Sequence, residues 1–146
     1  MNGQQSEQLL RFCNHLDQTF ASAINDEDKS FEAIAAELQA VYDNAEVFVA
    51  AEEEVAAKRL VAERVFVAGI KRGLAIVKCR PLYNDILRHK VELHERFALA
   101  VAFARYCLSC HQNIDAISLL ERLLAELRAD PSFAEQSVLV ENLLES

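Results

Sequence analysis

The sequence has little with which to turn a chain sharply: three glycines and two prolines in 146 residues. No stretch alternates apolar and polar residues with period two for long enough to pair as strands, which excludes a sheet. No uncharged apolar run approaches the roughly 20 residues needed to cross a bilayer, so no membrane partner is expected. A Gly-rich phosphate loop, a nucleophile elbow, an H-E-x-x-H pair and an EF-hand loop are all missing. With them goes the direct case for nucleotide, acyl-transfer, zinc-protease or calcium chemistry. Tryptophan is absent, and the single methionine is Met1.

What remains is rich in Ala, Leu and Glu, which are helix formers. The chain is long enough to bury a core without disulfides or metals. A single all-α domain over residues 1–146 is expected, with six or seven helices as antiparallel hairpins around a buried central helix. The first residues, MNGQQSEQ, carry no basic start followed by an apolar middle. A cytoplasmic protein with Cys13, Cys79, Cys107 and Cys110 as reduced thiols is therefore expected.

Charge is spread unevenly. Residues 1–57 hold 12 acids and 2 bases, residues 58–96 hold 4 acids and 10 bases, and residues 97–146 hold 7 acids and 3 bases. An acidic first third and a basic middle can complement each other within one molecule or across a homodimer. The basic segment offers a second reading, a nucleic-acid backbone held by Lys71, Arg72, Lys78 and Arg80. The net charge of -8 weighs against nucleic acid.

Along the chain, Leu9, Phe12, Leu16, Phe20 and Ile24 recur at helical spacing over residues 6–24. Ser30 or Asp28 is placed to cap a second helix bearing Ile34, Leu38, Val41 and Tyr42 on one face. Residues 45–79 read as one long helix, or as two that part near Gly69 or Gly73. Pro81 reads as the first turn of a further helix that runs through Leu82, Ile86, Leu87 and Leu93. The run Phe97–Cys110, FALAVAFARYCLSC, is apolar on nearly all sides and is the expected central helix. Asn113 is expected to cap the helix after it. Ser132 and Glu135 are spaced as a capping box for the last one.

Three patterns carry functional weight. Residues 103–135, FARYCLSCHQNIDAISLLERLLAELRADPSFAE, resemble a tetratricopeptide repeat. They show a helix, a short polar turn, Ala116 at the helix–helix contact, Leu120 and Leu123 on the packing face, and Pro131 beyond. The family's glycine in the first helix is missing. Leu82, Ile86 and Leu93 stand 34 residues before Ala116, Leu120 and Leu127, as a faint earlier copy. The resemblance implies stacked hairpins with a concave protein-binding groove and no catalysis.

The second pattern is Arg-x5-His, present as Arg88 to His94 and Arg105 to His111. It resembles the signature of the HEPN nucleases, and implies Arg88 holding phosphate charge while His94 moves a proton from a 2′-hydroxyl. The third, Cys107-Leu108-Ser109-Cys110-His111, is similar to the haem-attachment motif of c-type cytochromes. It lies inside the apolar helix, no methionine is placed as an axial ligand, and no second C-x-x-C completes a zinc tetrahedron. Core packing accounts for both cysteines, so no metal and no cofactor are expected.

These observations favour a non-enzymatic protein–protein interaction module, adaptor- or chaperone-like, that binds a partner protein through a helical groove or surface. Tyr83, Arg88 and Tyr106 are its candidate contact residues, because Tyr and Arg dominate binding hot spots. The alternatives are an RNase using Arg88 and His94, or a nucleic-acid-binding subunit using the basic middle segment.

Overall fold

In the computed structural model the described residues are 7–45, 48, 50–89 and 92–145. They form helices and connecting turns only, with no strand among them. The chain divides into two compact units, Met1–Lys90 and Val91–Ser146.

The first unit holds α1 (Glu7–Asn25), α2 (Phe31–Asp43), α3 (Ala51–Lys71) and α4 (Ile76–Arg88). α1, α2 and α3 pack on one another, and α4 packs on α3. Their core contains Leu9, Phe12, Leu16, Ile34, Leu38 and Val61, all buried. Burial of each such side chain contributes about 1.5–3 kcal/mol. Ser30 caps α2 as its position suggests, its Oγ accepting from the Ala33 amide at 3.2 Å.

The long middle segment is two helices. α3 ends in a Schellman motif, with Gly73 at φ +70°. The Gly73 amide donates to the Ile70 carbonyl at 3.1 Å and the Leu74 amide to the Gly69 carbonyl at 2.9 Å. Leu74 folds back so tightly that a Cβ on Gly69 would stand 3.1 Å from its Cδ2. Gly73 is favoured by its left-handed φ, and a side chain on Gly69 would require Leu74 to shift by a few tenths of an ångström.

Pro81 does not open a helix; it lies inside α4. A proline there leaves the Val77 carbonyl without an intrahelical donor. Val77 is 74% exposed, so water can satisfy that carbonyl and the helix continues. α4 stops at Arg88, so Leu93 is not its continuation but the first residue of α5. This breaks the faint earlier repeat, because Ala116, Leu120 and Leu127 share one helix whereas Leu82, Ile86 and Leu93 do not.

The second unit holds α5 (Leu93–Ser109), α6 (Asn113–Arg128), the 3-10 turn η1 (Pro131–Phe133) and α7 (Ala134–Glu145). The segment resembling a tetratricopeptide repeat folds mainly as the α5–α6 hairpin, with Ala116 fully buried. Arg96 on α5 binds Glu126 on α6 at 2.9 Å. α5 buries Ala100, Val101, Phe103, Ala104 and Cys107, while Ala98, Ala102 and Arg105 remain exposed.

Two caps differ from expectation. Asn113 is the first residue of α6 rather than its cap, because α5 ends in its own Schellman motif and Gln112 is used in it. The His111 amide donates to Leu108 at 3.0 Å and the Gln112 amide to Cys107 at 2.8 Å. Asp130, not Ser132, caps the final turn: its Oδ1 accepts from the Ser132 amide at 3.0 Å and from the Ser132 hydroxyl at 2.8 Å. Asp130 is extended, so its short carboxylate reaches an amide beyond Pro131.

Arg72, the C-cap of α3, closes the end of α1 as well. Its Nη2 donates to the carbonyls of Ala23 at 3.2 Å, Ile24 at 3.2 Å and Asp26 at 2.7 Å, and its Nε to Lys29 at 2.9 Å. A helix leaves its last carbonyls unpaired, and here one guanidinium collects them. Arg72→Ala should lower stability by about 2–3 kcal/mol in urea denaturation. Arg72→Lys should recover less than half of that, because an ammonium lacks the planar fork. His111 holds φ 62°, a conformation that costs a non-glycine residue roughly 1 kcal/mol. His111→Gly should therefore raise stability by about that amount in the same measurement.

Candidate functional site

Within the first unit, α2, α3 and α4 border a groove of about 600 Å³ that is open to solvent. Ala35, Ala36, Gln39 and Tyr42 face it from α2, Lys58, Val61, Ala62 and Val65 from α3, and Leu82 and Asp85 from α4, with His89 just beyond. The α3 positions follow the i, i+3, i+4, i+7 pattern of one helix face. Alanines at three lining positions keep the floor low, and Val61, Val65 and Leu82 make it apolar.

Polar groups gather towards one end. The short α3–α4 turn makes these helices antiparallel neighbours, which brings the end of α4 towards the start of α3. Tyr42 organises this end. Its ring packs edge-on to Phe12 at 6.3 Å and lies tilted against Phe48 at 6.4 Å. Its hydroxyl donates to Glu54 at 3.1 Å, and the Lys58 ammonium lies 6.0 Å from its ring centroid. Burial and the carboxylate of Glu54 raise the Tyr42 pKa above its ordinary value, so the phenol is neutral and acts as a donor. A groove with an apolar floor and a few convergent polar groups suits binding.

The candidate residues named from sequence fall in both units. Tyr83 retains 8% of its surface, its ring 5.8 Å from that of Phe66. Arg88 is exposed and pairs with Asp85 at 3.7 Å. Tyr106, in the other unit, is half-buried.

Arg88 ends α4 and His94 lies in the first turn of α5, so no single helix carries this Arg-x5-His pair. His94 is exposed, 3.7 Å from Glu95. In the second pair, Arg105 lies on α5 and His111 closes that helix. Of the four basic candidates, Lys71, Lys78 and Arg80 are exposed, whereas Arg72 is spent on four backbone carbonyls.

The groove was legible only in part. Ala35 and Ala36 on α2 and Ala62 on α3 mark low floors, yet sequence reasoning took Tyr42 as a core position and passed over Gln39 and Lys58. Among the described residues no three His, Cys, Asp or Glu side chains are grouped to hold a metal. No helix there is long and apolar enough to cross a membrane.

The four cysteines differ sharply in environment. Cys79 and Cys107 are buried, Cys13 is half-buried and Cys110 is exposed. Burial, reinforced by nearby Asp17, raises the Cys13 pKa and reduces its thiolate. Iodoacetamide at about pH 8 should label Cys110 first and Cys13 slowly, with Cys79 and Cys107 reacting only on denaturation. Cys110→Ser should remove the fast phase seen by mass spectrometry. No family model matches the chain, and no curated protein or solved structure matches it either.

Proposed function

We propose that the protein is a non-enzymatic interaction module, adaptor- or chaperone-like, that binds a partner protein in the α2–α3–α4 groove. The observation that carries this reading is the groove itself: an open channel floored by Ala35, Ala36, Val61, Ala62, Val65 and Leu82, with hydrogen-bonding groups at one end. Apolar anchors provide affinity in such a site, and the polar end provides register.

The floor strip from Lys58 to Val65 spans seven residues of rise, about 10 Å, or two turns of a bound helix. The exposed bases Lys71, Lys78 and Arg80 do not converge on the groove, since none is among its lining residues.

The test compares the wild-type chain with Ala36→Trp, a substitution at an exposed floor position that fills the groove. Both are used as bait in native lysate at moderate salt, with and without nuclease. The expected result is a stoichiometric protein that survives nuclease and is lost with Ala36→Trp, while the two baits melt at the same temperature. Recovery of RNA, with every protein lost on nuclease treatment, would overturn the reading. Equal recovery by both baits would remove the groove from it.

A further inference from the structure

A second, smaller cavity lies in the first unit, between the start of α1 and the end of α2. It holds about 190 Å³ and shares no lining residue with the α2–α3–α4 groove. The short connection between α1 and α2 makes them antiparallel neighbours, which brings these two ends together. Gln8, Arg11, Phe12 and His15 follow the i, i+3, i+4, i+7 row of one α1 face. Val41, Asn44 and Ala45 line the cavity from α2 and its C-terminal end, at the same helical spacing.

The lining divides by chemistry. Phe12 and Val41 are buried and give the cavity one aromatic and one aliphatic wall. Every polar side chain there carries N–H donors: the Arg11 guanidinium, the His15 imidazole, and the Gln8 and Asn44 amides. No carboxylate lines it, although residues 1–57 hold 12 acids against 2 bases. Arg11 is one of those two bases.

Local pairing leaves Arg11, His15 and Asn44 available. Arg11 meets Glu7 at 3.5 Å, but the two side chains are 70% and 83% exposed. A surface pair of that kind is weak and yields to a competing anion. No described residue bonds to the His15 ring or to the Asn44 side-chain amide. The dipole of α2 opposes an anion at its C-terminal end. That end is partly closed, because the Asn44 amide donates to the Ala40 carbonyl at 2.9 Å and the Ala45 amide to the Tyr42 carbonyl at 3.1 Å. The full charge of Arg11 outweighs the partial charge that remains.

We infer that this cavity binds a carboxylate joined to one ring-sized apolar body. A cavity of about 150 Å³ admits a benzene ring, so one of about 190 Å³ holds a ring with a short acid arm. Arg11 offers the carboxylate its planar fork, the geometry in which two parallel N–H bonds form. His15 and Asn44 add single donors, and the ring rests on Phe12 and Val41. A neutral amide of the same shape loses the charge pairing with Arg11, and an amine meets only donors. Two sources present this chemistry: a free aromatic acid, and the carboxyl end of a chain that finishes in phenylalanine.

NMR titration of the full chain at neutral pH tests this with phenylpropionate, phenylpropionamide, acetate, and a tripeptide that ends in phenylalanine with a free carboxylate. Phenylpropionate should bind with a Kd of about 1 mM or tighter. The amide and acetate should each bind at least about tenfold more weakly. Arg11→Gln should weaken phenylpropionate at least about tenfold, and Ala45→Phe, which fills the cavity from the α2 side, should abolish its binding. Arg122→Gln, at an exposed position in the second unit, should leave it unchanged. Equal melting temperatures of the variants and the wild type separate loss of binding from loss of fold.

Tighter binding of the tripeptide than of phenylpropionate would support the inference and assign the ligand to a chain end; weaker binding would support it and assign a free acid. Equal affinity for the acid and its amide would overturn it, as would acetate binding as tightly as phenylpropionate. Binding that survives both Arg11→Gln and Ala45→Phe would place the ligand elsewhere and overturn it. No binding of phenylpropionate or the tripeptide up to roughly 20 mM would overturn it as well. None of these outcomes bears on the α2–α3–α4 groove.

Discussion

The first unit depends on how the open end of α1 is closed. The carbonyls of Ala23 and Ile24 belong to the last turn of that helix and have no intrahelical donor, and those of Asp26 and Lys29 belong to the connection that follows. Arg72 reaches all four. It can do so because α3 stops at that residue, and α3 stops there because Gly73 takes a left-handed conformation. One glycine therefore positions one guanidinium, and that guanidinium ties the α1–α2 connection to the end of α3. A single long helix through residues 45–79 would carry Arg72 in mid-helix and begin α4 elsewhere.

From that junction the groove follows. α4 turns back along α3, and α2 lies along α3 as well, so α3 becomes the floor between two walls. Ala35, Ala36 and Ala62 line the groove together with the polar Gln39, Tyr42, Lys58, Asp85 and His89. Tyr42 links the two sides of the unit: its ring belongs to the aromatic cluster with Phe12 and Phe48, while its hydroxyl and the neighbouring Lys58 face the channel. The second unit uses the same means to a different end. Its Schellman turn holds a histidine, His111, at the left-handed position, where a glycine would be the less strained residue.

Helix identity was legible because it is local. Spacing of Leu9, Phe12 and Leu16, or of Leu120, Leu123 and Leu127, needs no knowledge of what lies opposite, and the cap at Ser30 is decided within three residues. Pro81 shows where local reading fails. Proline is unfavourable inside a helix, yet at an exposed position the lost hydrogen bond passes to water and packing of Cys79, Tyr83 and Ile86 retains the helix. The same limit applies to Arg-x5-His: the spacing does not say which elements carry the pair, and α4 ends before His94.

The sequence by itself determined that this is an all-helical chain with an acidic first third and a basic middle, because composition and period report directly on helix formation and charge. Only the tertiary structure decided what the charges do. Arg72 and Lys78 are both cations in one short basic stretch; the turn at Gly73 sends the first into a set of carbonyls and leaves the second exposed on α4. Tyr83 and Tyr42 are likewise equivalent as residues, and the packing of α4 on α3 buries the first while the edge of α2 presents the second to solvent. Long-range packing made those assignments, and it is not encoded in any window of sequence short enough to read alone.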